Sequence, residues 1–152
     1  MDASSISPTL LIASLIVAST PIMLAAIGEL VVERAGVLNL GVEGMMITGA
    51  ICGFIVAYET GSPTYGVIAS ILGGAALSLI FAILTQFFLA NQVASGLALT
   101  LFGLGFSALI GKGYTGITPP DLSRPNLGFL TEIPFLGTML FKHDYLVYLA
   151  VA

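Results

Sequence analysis

The sequence predicts an all-α fold, a polytopic transmembrane helix bundle with about four complete spans plus the start of a fifth, and three observations carry that reading. The chain is 57% hydrophobic and only 8% charged, where a soluble domain averages about 25% charged residues, and its mean hydropathy is +1.07. Residues 60–111 contain no Asp, Glu, Lys or Arg, a stretch long enough for two crossings at about 20 residues each. Glu59-Thr60-Gly61-Ser62-Pro63 is a compact turn signal between apolar runs, because Gly and Pro both interrupt a helix. The net charge of -4 comes without any Lys/Arg cluster, which excludes a nucleic-acid partner and leaves membrane lipid as the surroundings. Cys52 is the only cysteine; it forms no internal disulfide, supports no Cys-rich metal site and reads as a small buried hydrophobe.

The first span is expected over residues 9–32. Its N-terminal flank lacks the Lys or Arg of a signal peptide, and the apolar run is longer than an h-region, so it reads as a retained helix. Pro21 near its middle removes one backbone hydrogen bond, and either the nearby hydroxyls of Ser14, Ser19 and Thr20 or neighbouring helices can satisfy the freed carbonyl; a kink is expected there. The second span is expected over 36–58. Its first turns carry Asn39, Gly41, Glu43 and Gly44, too polar to face lipid, so this helix either lies inside the bundle or begins within the membrane after a break. Gly49 and Gly53, four apart, allow close helix approach. The third span, 65–90, repeats the small residue at Gly66 and Ser70 and at Gly74 and Ser78. The fourth, 93–111, follows a very short turn at Asn91 and Gln92, whose amides serve either as helix caps or as ligand contacts.

Residues 112–144 break the pattern with Pro119, Pro120, Pro125 and Pro134, three of the four Lys/Arg and the only His, His143. This reads as an extramembrane loop, long enough to be a lid or docking surface. An apolar run opens again at Tyr145 and reaches Ala152, too short to span; the expectation is that the chain is the front part of a longer protein, the whole of 1–152 being one N-terminal part of a single transmembrane domain.

Charge concentrates in residues 28–46, Gly-Glu-Leu-Val-Val-Glu-Arg-Ala-Gly-Val-Leu-Asn-Leu-Gly-Val-Glu-Gly-Met-Met, where Glu29, Glu33, Arg34 and Glu43 stand between apolar runs. A carboxylate at the bilayer centre costs about 3 kcal/mol, and one Leu or Val returns only about 0.3 to 0.6. These residues therefore carry either function or architecture. In the architectural reading Glu33 and Arg34 cap helix ends and Arg34 pairs with Glu29 or Glu43.

This stretch resembles the N-terminal hallmark of inner-membrane permease subunits of ABC importers, in the nucleoside and simple-sugar branch (ribose-type, related to branched-chain amino acid permeases). The nucleoside-type members, which work with a lipoprotein binding protein, are similar through Glu-Arg-Ala-Gly at 33–36, Asn-Leu-Gly at 39–41 and Glu-Gly-Met-Met at 43–46, and again through residues 89–100. The resemblance runs over essentially the whole chain but covers only the first half of a typical member, and implies the fold of the first half of a type II-like importer permease. The family's ATPase-docking loop, a Gly-Xaa-Asn-Xaa-Xaa-Ala-Ala-like run, lies in the other half and has no match here.

The resemblance implies a transport subunit and not an enzyme. It implies no cofactor in this chain, ATP and Mg on a partner ATP-binding cassette ATPase, a second permease subunit and an extracytoplasmic substrate-binding lipoprotein. It also places residues 33–43 toward the cytoplasm and 112–144 outside, whereas three Lys/Arg on that loop against Arg34 alone run opposite to the positive-inside tendency. For an uncharged nucleoside or sugar the path needs side chains that hydrogen-bond without a large fixed field; Asn39, Asn91, Gln92 and Thr100 are of that type, and Asn39 and Glu43 are the first candidates. The competing class is an ion-coupled carrier or channel with Glu29 and Glu43 as a relay. No Ser/His, Asp/Asp or His-Glu-Xaa-Xaa-His arrangement supports an intramembrane enzyme.

Overall fold

The computed structural model describes residues 8–118, 120 and 144–151. The expectations placed on His143, on the body of the 112–144 loop and on its charged residues Arg124, Glu132 and Lys142 lie outside the described residues. Every regular element among the described residues is helical, in the order α1 (Pro8–Arg34), α2 (Val42–Thr60), α3 (Pro63–Ala82) continued by a π-helical turn (Ile83–Phe87), α4 (Gln92–Gly111) continued by a 3-10 turn (Lys112–Tyr114), and α5 (Tyr145–Val151). They fall into two compact units, one within Met1–Ile27 and Leu122–Ala152, the other within Gly28–Asp121.

In the first unit, α1 continues as one helix through Pro21. The hydroxyls of Ser19 and Thr20 both donate to the Ile16 carbonyl, at 2.9 Å each. That is one residue before Val17, whose carbonyl would pair with residue 21 in an α-helix, so the expected hydroxyl repair of the freed group is not what these side chains do. Against this part of α1 lies a shallow groove formed by Val17, Thr20, Pro21 and Leu24 with Asp144, Leu146 and Val147.

The second unit is organised around α2. Small residues let its neighbours approach to backbone contact, the form of helix association that works in lipid, where apolar burial supplies no driving force. A Cβ on Gly49 would lie 2.8 Å from the Ser70 carbonyl oxygen, and one on Gly66 would lie 2.6 Å from Ala57 Cβ; the pairing of Gly49 and Gly53 with Gly66 and Ser70 makes α3 antiparallel to α2. On the other side Gly44 meets Thr100 and Gly103, and Ile51 meets Gly111, so α4 runs parallel to α2. Met45, Leu77, Phe81 and Leu99, one to two from each helix, form the buried cluster between them, with Val37 packed against it.

The boundaries differ from expectation at one place that matters. The second helix begins at Val42, six residues later than the expected 36, leaving Asn39 and Gly41 in a non-helical segment. The α3 to α4 connection is also more than a turn. After the π-helical turn, Phe88 N donates to Ile83 O at 3.2 Å and Ala90 N to Leu84 O at 3.0 Å, and Leu89 takes a left-handed φ of 50°.

Candidate functional site

The site is the break between α1 and α2, and it starts with how α1 stops. Gly36 has φ +81°, and the last turn closes with Gly36 N donating to Glu33 O at 2.9 Å and Val37 N to Val32 O at 3.2 Å. This is the paired pattern of a Schellman ending, which needs a residue free of the left-handed penalty at the Gly36 position. It turns the chain so that Val37 enters the buried cluster.

Gly41 O accepts from Met45 N at 3.0 Å as the first bond of α2, and before it side chains meet the backbone of the segment. Leu38 N donates to Gln92 Oε1 at 2.8 Å, Asn39 N to Glu29 Oε1 at 3.2 Å, and Gly41 N to Asn39 Oδ1 at 2.9 Å. The Thr100 hydroxyl donates to Leu40 O at 3.0 Å. Gln92, Gly96 and Thr100 recur every four residues and so share one face of α4; at the middle position a Cβ would lie 2.9 Å from both Leu40 N and Gly41 N, so only glycine leaves room for the segment. Thr100 stands about 12 Å along α4 from Gln92 at 1.5 Å per residue. Because Leu38 meets one and Leu40 the other, the segment descends along α4, and α2 begins about two turns below the start of α4. Helix α2 thus starts after a break at Val42 and also packs between α3 and α4, so the structure carries features of both alternatives for the second span. Such irregular backbone is tolerated at membrane depth only where protein or a polar cavity meets its hydrogen-bonding groups.

The nominated residues separate accordingly. Asn39 is 6% exposed, with Oδ1 on Gly41 N and Nδ2 3.5 Å from Met45 Sδ: its carboxamide is spent on the segment that holds it. Glu29 gives one oxygen to Asn39 N, while Oε2 is buried without a hydrogen-bond partner. Gln92 and Thr100 hold the break from α4, and Asn91 caps α4 by accepting from Ala94 N at 3.0 Å. Glu43 is exposed in the first turn of α2, where the helix dipole favours a carboxylate. Glu33 and Arg34 are exposed in the last turn of α1. Arg34 makes no ion pair with Glu29 or Glu43; the first of these turns instead to the Asn39 amide, which corrects the expected pairing. Arg34 is placed where a cation complements the C-terminal end of the dipole.

Gly96 and Gly103 are functional positions that the sequence reading did not single out; their spacing with Gln92 and Thr100 is a signal that could have marked them, but what they face is not legible in it. Thr48, 6% exposed with its hydroxyl unpartnered, carried no sequence signal. At the opposite end of the pair, the Tyr114 hydroxyl donates to Glu59 Oε1 at 3.0 Å, and the Tyr114 ring meets Phe54 and Tyr58 edge-on at 6.2 and 5.8 Å, tying the ends of α2 and α4. Among the described residues no group of three or more His, Cys, Asp or Glu side chains is placed to hold a metal ion.

A family model described as branched-chain amino acid transport system / permease component matches residues 11–151. The chain is 43% identical over 143 residues to a putative glucose ABC transporter permease protein of Haloferax volcanii, covering 88% of this chain and 43% of that protein. It is 34% identical over 148 residues to a guanosine ABC transporter permease protein of Bacillus subtilis, and 26% identical over 148 residues to a nucleoside ABC transporter permease protein of Lactococcus lactis; each match covers 90% of this chain and 46% of the relative. The chain spans about half the length of the curated relatives it matches. No solved structure gives a significant match. Four helices are long and apolar enough to cross a membrane, and the family match takes in nearly all of the sequence; the chain is a multi-pass membrane protein and belongs to the permease-component family of branched-chain amino acid transport systems.

Proposed function

We propose that this chain is the N-terminal part of the permease subunit of an ATP-binding cassette importer, and that its α1–α2 break forms part of the path for a nucleoside or a simple sugar. The observation that carries the site is the descent of residues 38–41 along α4, a non-helical segment below the start of a neighbouring span whose polar groups are met by Glu29, Gln92 and Thr100. A broken helix of this kind brings neutral backbone and amide groups beside the Glu29 carboxylate, a polar lining that suits an uncharged, hydroxyl-rich solute. The substrate range rests on the names of the relatives, glucose in one and guanosine or nucleosides in the others. The residues nominated for the path are Asn39, Glu43, Asn91, Gln92 and Thr100, with Glu29, Glu33 and Arg34 as the polar frame; of these, Gln92 and Thr100 act by holding the segment from α4 and not by touching the solute.

On this reading the chain catalyses no covalent chemistry. A separate ATPase binds ATP and Mg, a second permease subunit completes the path, and an extracytoplasmic lipoprotein delivers the solute. The test is uptake by the full-length permease, reconstituted with its ATPase and binding lipoprotein, of labelled guanosine and of labelled glucose. ATP-dependent uptake of either solute supports the importer and names its branch. Uptake that survives without ATP but is abolished by collapsing the proton gradient overturns it in favour of the Glu29 and Glu43 relay.

A further inference from the structure

We infer that Gln92 is the positioning residue of the α1–α2 break: it acts through the Leu38 amide to set where the Asn39 segment sits, and so governs the affinity of the path rather than the assembly of the helix bundle. The inference rests on the transport reading above and goes beyond it by separating the residues nominated together into those that hold and those that are held.

The geometry gives Gln92 this place. Its Oε1 accepts from Leu38 N at 2.8 Å, the shortest of the side-chain bonds made to the backbone of the break. Leu38 is the residue from which the segment turns down along α4, and the next residue, Asn39, has its carboxamide committed locally to Gly41 N. A shift of Leu38 therefore carries Asn39, Leu40 and Gly41 with it. Gln92 is itself held at the first residue of α4, directly after the Asn91 cap. The connection that delivers it is conformationally costly: a π-helical turn over Ile83–Phe87 and a left-handed Leu89, φ 50°, where a branched residue pays a steric penalty that glycine would not. Such a connection fixes where α4 starts, and Gln92 passes that position to the break. Thr100 reaches Leu40 O from two turns deeper on the same face, so α4 grips the segment at both ends and only the outer grip is made to an amide of the turning residue.

The test uses the full-length permease assembled with its ATPase and binding lipoprotein, and two substitutions. Gln92→Leu removes the acceptor; Gln92→Glu keeps one, at a helix N-terminus that favours the added charge. Hydrogen-deuterium exchange at the Leu38 amide is expected to accelerate about tenfold in Gln92→Leu and to stay within about threefold of the unaltered protein in Gln92→Glu, with α2 and α4 unchanged in both. The apparent KM for guanosine or glucose uptake is expected to rise about tenfold in Gln92→Leu and to recover in Gln92→Glu, while the maximal rate per inserted molecule holds within about twofold. Unchanged exchange at Leu38 overturns the link. Accelerated exchange with an unchanged KM, or a fall in maximal rate alone, overturns the positioning role and leaves Gln92 a structural bond. Absence of ATP-dependent uptake by the unaltered complex overturns the transport reading, and the positioning role with it, whatever the exchange shows.

Discussion

Replacing Gly103 with Ala tests whether α2 and α4 are held at backbone contact. A Cβ at this position would lie 2.5 Å from the Gly44 carbonyl oxygen and 2.8 Å from Gly44 Cα. Both are main-chain atoms of a helix, so no rotamer change relieves the clash. Restoring ordinary contact near 3.4 Å requires the two helices to separate by about 0.9 Å at the crossing. That movement stretches the Thr100 to Leu40 hydrogen bond, now 3.0 Å, beyond the range in which it counts as one. Overpacking of this kind costs about 1 to 3 kcal/mol and the lost bond about 0.5 to 1.5 kcal/mol, for an expected destabilisation of about 1.5 to 4.5 kcal/mol. Gly105, two residues further along the same helix, has nothing within 4 Å of where its Cβ would stand; Gly105→Ala is therefore expected to be neutral or to gain up to about 1 kcal/mol from helix propensity. Unfolding free energies of the full-length permease in bicelles, read by steric trapping, compare the pair directly. Equal stabilities for the two alanine variants would refute the close crossing and the descent of the break along α4 that depends on it.

Three further outcomes follow from the same geometry. Gly36→Ala should destabilise by about 1 to 2 kcal/mol although its Cβ would meet nothing, because the cost is the left-handed φ alone; Gly36→Asn should recover part of it in a thermal melt. Glu29→Ala leaves the Asn39 amide without its acceptor and should cost about 1 to 3 kcal/mol, whereas Glu29→Gln retains an oxygen for it, a contrast measurable as the fraction of inserted protein that survives heating. Tyr114→Phe removes the bond to Glu59 and keeps the ring contacts to Phe54 and Tyr58. Its effect on thermal stability should be slight, since the bonded groups are exposed, and a melting temperature lowered as far as by Gly103→Ala would show that the bond holds the ends of α2 and α4 far more strongly than an exposed contact can.

The sequence by itself determined the class and the number of spans. Hydropathy and length suffice for that, because a chain segment in hydrocarbon must satisfy its own backbone and the helix is the form that does so. It also singled out residues 28–46 as the place where charge is costly without a reason. What it did not contain was the partner of each polar group. Asn39, Gln92 and Thr100 read alike as neutral hydrogen-bonding side chains suited to a solute; tertiary structure decided that Asn39 bonds within the segment while Gln92 and Thr100, more than fifty residues away in sequence, grip it from α4. Arg34 beside three carboxylates looked like an ion pair, and the fold gave the Glu29 oxygen to a backbone amide instead. The late start of α2 has the same origin. Residues 36–41 read as the first turns of the second span, but the left-handed turn at Gly36 and the side-chain acceptors on α1 and α4 make the broken conformation the satisfied one, and those acceptors depend on where distant helices lie.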